Sequence, residues 1–141
     1  MKYIDTNIFI YAIENHPKYG EVCKKILENI EKKKLEAYAS ILVLVEIVNV
    51  LKKINEILKE RKEKELDIKK NIDAILSLPI KWIELNFAII RRASEYRYRI
   101  SGIDYIHLAS MELNMIHEII SADKELDKVD FIKRIEPLSL Y

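Results

Sequence analysis

Glu46 stands inside "ILVLVEIVNVL" (41–51), a run in which nine of eleven residues are aliphatic and the only other polar residue is Asn49. A carboxylate is costly to bury in hydrocarbon unless a donor or cation meets it, so Glu46 is expected to face a polar site, with Asn49 on the same helical face. Three other acidic residues fall where they can complete such a site. Asp5 directly follows the short apolar "KYI", Asp104 follows Ser101-Gly102, and Asp123 lies two residues beyond Ser121. Four carboxylates gathered at one place repel and raise one another's pKa values. Mg²⁺ and Mn²⁺, which prefer oxygen ligands, relieve that repulsion. One or two such ions can activate a water and stabilise the leaving oxygen of a phosphodiester.

Each residue also has a structural reading. Asp5 and Asp104 are good helix caps, and Asp123 suits a turn. Asp127, four residues past Asp123, is either a further site carboxylate or part of a solvated face. His107, three residues after Asp104 and between Ile106 and Leu108, reads as a hydrogen-bonded core or rim histidine. Glu46 has the weakest structural reading, because its helix is otherwise apolar all round.

The elements that must position these residues can be read from periodicity. "KYI", "EAYAS" (36–40), "IKWIE" (80–84) and "EIISA" (118–122) are short strands, and "IKRIEPL" adds an edge strand ending at Pro137. Helical spacing is expected over "DTNIFIYAIE", after Pro17, after Ser40 as a cap, and over "NFAIIRRASEYRYR" and "DYIHLASMELN". Thirteen of the twenty residues 52–71 are charged, yet apolar residues keep a helical period on either side of a slip near 60–66. Two helices with a break are expected there, stopped by Pro79. Strands alternating with helices predict α/β: a three-layer α/β/α fold with a short central parallel sheet of four to five strands. Sites in such sheets lie outside the carboxyl ends of the strands, and all four carboxylates map to that edge.

The chain has 141 residues, half of them hydrophobic, with 24 basic against 23 acidic. That suits one domain over 1–141, and bulk charge does not advertise nucleic-acid binding. The lone Cys23 excludes an internal disulfide and a cysteine-rich zinc site, and it reads as a half-buried hydrophobe. "MKYIDTN" resembles no signal sequence and no apolar run nears the ~20 residues of a membrane span. A cytoplasmic location is expected.

"YIDTNIFIYA", "SILVLVEIVNVL", "SGIDYIHLASMELN" and "IISADKELDKVD", in that order, resemble the PIN domain family, most closely its small single-domain VapC-type toxin ribonucleases. The resemblance covers essentially the whole chain. It implies that Asp5, Glu46, Asp104 and Asp123 are the acidic metal-binding quartet, supported by Thr6, Asn7 and Ser121. Ser121 stands where the family more often has threonine, and Leu126 replaces an aromatic residue. The resemblance further implies a Mg²⁺- or Mn²⁺-dependent endoribonuclease, a homodimer and a small antitoxin partner.

Arg91, Arg92, Arg97 and Arg99, interleaved with Tyr96 and Tyr98, suit phosphate contact and base stacking, or else form a solvated face. Lys124, beside Asp123, has the same two readings. Ile54, Ile57, Leu58, Ile68, Ile72 and Ile75 represent a surplus of apolar surface that a second copy or an antitoxin helix would cover, with ordinary core as the alternative. A metal-dependent phosphatase or phosphodiesterase on small substrates, housekeeping RNA processing, and a Mg²⁺-binding response-regulator-like module remain open at this point. The last needs an acceptor aspartate after the third strand, where the chain has Glu84.

Overall fold

A computed structural model describes the backbone of residues 1–141 and every side chain except that of Ile103. Five short runs form the sheet: β1 (Lys2–Ile4), β2 (Ala37–Ser40), β3 (Ile80–Ile83), β4 (Glu118–Ile120) and β5 (Lys133–Ile135). All neighbours pair in parallel in the order β3-β2-β1-β4-β5. The helices between them are α1 (Thr6–Ile13), α2 (Gly20–Glu31), α3 (Leu42–Glu60), α4 (Ile68–Leu76), α5 (Phe87–Ala93) and α6 (Gly102–Leu113). This is the expected three-layer fold, with its expected break between α3 and α4.

Successive side chains on a strand face opposite ways, and each face of the sheet has its own helices. Ile4, Ala37, Ala39 and Ile120 join a core with Ile8, Phe9, Ile26, Ile47 and Leu51 from α1, α2 and α3. Tyr3 and Ile119 face the other way, against Leu108 and Met111 of α6. From β1 the sheet extends to β2 and β3 on one side and to β4 and β5 on the other. The carboxyl end of β1 is therefore the switch point at which open α/β sheets leave a crevice.

Several expectations are corrected. The helix expected to run on through Arg99 stops at Ala93. Tyr96 and Tyr98 beyond it turn back onto the core, Tyr96 stacking on Phe131 at 5.9 Å. Docking of these large rings overrides the local helical pattern. α2 starts at Gly20 and not just after Pro17, because His16 Nδ1 accepts from the N–H groups of Lys18 and Tyr19 and closes a turn. Gly20 lets the chain pass closely there, since a Cβ would lie a tight 3.0 Å from the Asn15 carbonyl carbon. α3 begins at Leu42 with Ile41 as its cap residue, although Ser40 Oγ still accepts from Leu42 N–H at 3.1 Å. Cys23 is fully buried. The apolar surplus of α3 and α4 is mostly core: Ile75 is buried, and Ile54, Ile68 and Ile72 pack against the first cluster. Leu58 is half-buried, so Ile57 is the one of the six left exposed.

Only two glycines occur in the chain, and non-glycine residues end four helices in the left-handed region: Asn15, Lys33, Lys62 and Met115, with φ of 53°, 58°, 56° and 54°. The conformation closes the helix ends through bonds such as Glu63 N–H to Leu58 O at 2.8 Å and Ile116 N–H to Met111 O at 2.9 Å. A side chain there is crowded by its own backbone. Glycine at the exposed positions Lys33 and Lys62 would relieve that at some entropic cost, a net gain of about 0.5–1 kcal/mol per site. The Lys33→Gly/Lys62→Gly protein is expected to melt roughly 3–6 °C above the parent. An unchanged or lower melting temperature contradicts this reading of the helix ends.

Candidate active site

Asp5, Glu46, Asp104 and Asp123 line one cleft of about 270 Å³, together with Thr6 and Asn7. Each carboxylate arrives on a different element. Asp5 is the cap residue between β1 and α1, and Glu46 is in the second turn of α3. Asp104 lies in the first turn of α6, and Asp123 caps the 3₁₀ turn Lys124–Lys128 that follows β4. Asn49 is exposed and does not line the cleft; Val50, one turn beyond Glu46, does.

Asp5 is 8 % exposed, and its carboxylate accepts three hydrogen bonds. Oδ1 accepts from Thr6 N–H at 2.7 Å, and Oδ2 accepts from the Ser121 hydroxyl at 2.5 Å and from Asn7 Nδ2 at 3.4 Å. Ser121 uses its full capacity, one donated and two accepted bonds, since its Oγ also accepts from Asn7 Nδ2 at 3.2 Å and Asp123 N–H at 3.0 Å. Asn7 Oδ1 accepts from Ala122 N–H at 3.3 Å. The ends of β1 and β4 are thus joined through the side chains that hold Asp5.

Glu46 is held from a direction that the sequence reading did not assign. Its Oε1 accepts from the Thr6 hydroxyl at 3.0 Å and lies 2.5 Å from Nε2 of His107. His107 is buried, and its Nδ1 lies 2.5 Å from the hydroxyl of Tyr3, which is fully buried. Tyr3 Oη also accepts from Ser40 N–H at 3.1 Å. Nε2 donates to Glu46, and Nδ1 pairs with the Tyr3 hydroxyl. The signal was present in part: His107 is one helical turn from Asp104, and Tyr3 is two residues before Asp5 on a strand. Spacing shows a shared face but not the partner across the sheet.

Burial raises the Asp5 pKa, partly offset by the charge of His107 and the bonds from Ser121 and Thr6. Asp104 is pushed up to about 6, first by burial and then by the charges of Asp5, Asp123 and Glu46. Burial pulls His107 down, but the bond to Glu46 and the charges of Asp5 and Asp104 outweigh it, and the net shift is upward. Among the described residues no three His, Cys, Asp or Glu side chains already converge tightly enough to surround an ion. The donor chemistry nevertheless suits a hard divalent cation: the set is all oxygen, Asp104 is crowded by like charge, and Glu46 Oε2 has no partner among the described residues.

Other candidates are placed elsewhere. Asp127 is bound by Arg134, with Nε to Oδ1 at 2.9 Å and Nη2 to Oδ2 at 3.2 Å. Arg134 also donates to Ser121 O at 2.8 Å, so Asp127 touches the site only through that arginine. Arg92 is occupied structurally: Nε and Nη2 donate to Glu112 at 2.8 and 3.0 Å, Nη1 donates to Glu95 at 3.2 Å, and the guanidinium lies 4.7 Å from the Tyr96 ring centre. Arg91, Arg97, Arg99 and Lys124 are exposed, and among the described residues none has an ion pair. Arg97 and Arg99 lie on the loop before α6 and not on a helix.

The raised Asp104 pKa fixes the sign of a pH effect. In its native environment this group keeps a proton up to about pH 6, against 3.8 for the ordinary side chain. Its contribution to stability is therefore present below about pH 4 and lost as pH rises through about 6. Asp104→Asn mimics the protonated acid. In EDTA its melting temperature is expected to match the parent near pH 4 and to exceed it by roughly 3–6 °C at pH 7. A difference that does not grow with pH contradicts the crowding of these carboxylates.

No curated protein matches the chain by sequence. Among solved structures, VapBC2 from Rickettsia felis bound to a DNA fragment from its promoter superposes with a TM-score of 0.69 at 20% identity, over 96% of this chain and 98% of that one. VapC20 from Mycobacterium tuberculosis, described as a sarcin-ricin loop cleaving toxin, gives 0.67 at 17% identity over 94% and 97%. A toxin-antitoxin complex from Klebsiella pneumoniae gives 0.65 at 18% identity over 97% and 98%. These likenesses establish a shared fold. The PIN domain family model matches residues 2–132, nearly the whole length, and the chain belongs to the PIN domain family.

Proposed function

We propose that this protein is a divalent-metal-dependent endoribonuclease and the toxin of a toxin–antitoxin pair. The observation that carries the reading is the meeting of four carboxylates from four separate segments in one cleft at the sheet's switch point. Asp5, Glu46, Asp104 and Asp123 would hold Mg²⁺ or Mn²⁺. When bound, one or two such ions supply charge for the attacking water and the leaving oxygen of a phosphodiester. The chain's own residues do the positioning. Ser121, Thr6 and Asn7 fix both oxygens of Asp5, and His107 with Thr6 holds Oε1 of Glu46, leaving Oε2 toward the cleft. By family analogy the products carry a 5′-phosphate and a 3′-hydroxyl. Housekeeping RNA processing would use the same site. A small-substrate phosphodiesterase would not need exposed cations such as Arg97, Arg99 and Lys124.

The toxin role is supported by the structural neighbours, which include VapBC2, the toxin VapC20 and a toxin-antitoxin complex. An antitoxin would gain most by inserting a basic side chain into the acidic cleft in place of metal. A homodimer is part of the same proposal, and light scattering should give twice the 16.7 kDa chain mass.

Cleavage of labelled single-stranded RNA is expected in Mn²⁺ or Mg²⁺, to stop in excess EDTA, and to fall by at least roughly a hundredfold in Asp5→Asn with the fold intact. RNA cleavage that survives EDTA, or an Asp5→Asn protein as active as the parent, overturns the proposal.

A further inference from the structure

The walls of the acidic cleft repel the sugar–phosphate chain they are proposed to cut, and bound cations offset this only at the scissile phosphate. Attraction for the rest of the substrate has to come from neighbouring surfaces. Arg92 is tied to Glu112 and Glu95. Tyr96, Tyr98 and Tyr105 likewise spend their hydroxyls on Glu112, Asp130 and the Tyr98 carbonyl. These groups build the protein and offer little to a ligand.

Tyr11 of α1 is different. It is the aromatic residue among those lining the cleft with the carboxylates, and it lies close enough for the charges of Asp5 and Asp123 to help raise its pKa, behind burial and Glu14. Its ring stacks on Tyr19, with centres 5.3 Å apart and planes 18° apart, and meets His16 at 4.4 Å. His16 and Tyr19 are themselves 5.4 Å apart. Tyr11 and Tyr19 also pack against the core built from α1, α2 and α3, while Tyr11 keeps its place in the lining of the cleft. The His16 turn holds the cluster, through Nδ1 bonds of 3.1 Å from Lys18 and Tyr19 N–H. All three rings are partly exposed, and the Lys18 ammonium lies 5.3 Å from the Tyr19 ring centre.

Every base has a π-face, so a ring beside a nuclease centre binds unpaired nucleotides with little regard to sequence. In a duplex the base faces are already stacked and unavailable. From this geometry we propose that Tyr11, backed by Tyr19 and His16, is a stacking platform for an unpaired base next to the scissile phosphate of RNA, with Lys18 meeting a flanking phosphate. The proposal rests on the nuclease reading and adds which side chain receives a base beside the cut.

The test is binding of a fluorescein-labelled ten-nucleotide single-stranded RNA in Ca²⁺, read by anisotropy, with cleavage kinetics in Mn²⁺ and melting temperatures measured on the same proteins. Tyr11→Leu is expected to bind about 5- to 150-fold more weakly, with KM raised and kcat retained. Tyr11→Phe should stay within about twofold of the parent, and Tyr11→Trp, with a larger face, should bind more tightly. The same RNA annealed into a duplex should bind parent and Tyr11→Leu alike. Tyr11→Leu at parental affinity, or Tyr11→Phe as weak as Tyr11→Leu, overturns the platform while parental RNA cleavage keeps the nuclease reading standing. If Tyr11→Leu does not fold, Tyr11→Trp decides: unchanged or weaker binding by a folded Tyr11→Trp overturns the platform. A parent protein that cleaves no RNA in Mn²⁺ overturns both.

Discussion

Asp5 is a carboxylate at the end of the central strand with almost no access to water, and much of the surrounding structure meets that constraint. A buried charge is tolerated only when hydrogen bonds and opposite charge replace its hydration. Thr6 supplies a backbone N–H, Ser121 a hydroxyl, Asn7 an amide, and His107 a nearby positive field. These partners come from α1, the end of β4 and α6. Holding Asp5 therefore helps fix the segments that carry Asp104 and Asp123, and the Thr6 hydroxyl beside it reaches Glu46 on α3. The same bonds that satisfy one acid assemble the cleft.

Glu46 answers to the same physics from α3. It is about one-fifth exposed, and one oxygen is held by His107 and Thr6. Substituting glutamine there would remove like charge from the cleft but also the negative charge that faces His107, although the amide oxygen could still accept from Nε2. Relief of crowding is expected instead at Asp104, whose carboxylate accepts no hydrogen bond among the described residues. Charge that is satisfied and charge that is only crowded thus sit side by side in one cleft, and a hard cation addresses the second kind.

The fold and the quartet were legible because each depends on local pattern. Short apolar runs alternating with helical periods specify a parallel sheet, and an acidic residue just past a strand or at a helix start maps to its carboxyl edge. Glu46 stood out because nothing else in its run is charged. What stayed hidden depends on partners distant in sequence. Arg92 looked available until Glu112, twenty residues on, claimed its guanidinium. Asp127 stood open between a site acid and a solvated face until Arg134 was placed beside it. His107 was recognised as a hydrogen-bonded histidine, but neither Tyr3 nor Glu46 could be named as its partners. The left-handed residues Lys33, Lys62 and Met115 carry no composition signal, since glycine is the usual mark of such helix ends. The tyrosines around 96–98 were read as helix because their anchors, Phe131 and Glu112, are set by tertiary packing.

The central claim is that the four carboxylates form one cation site. Crystals soaked in Mn²⁺ and measured at the manganese absorption edge test it most directly. The account predicts an anomalous peak inside the cleft, about 2.0–2.3 Å from oxygens of Asp5 and at least one of Glu46, Asp104 and Asp123, and absent after soaking in EDTA. A saturating soak with no peak in the cleft, or with manganese bound only at other surface carboxylates, would contradict it.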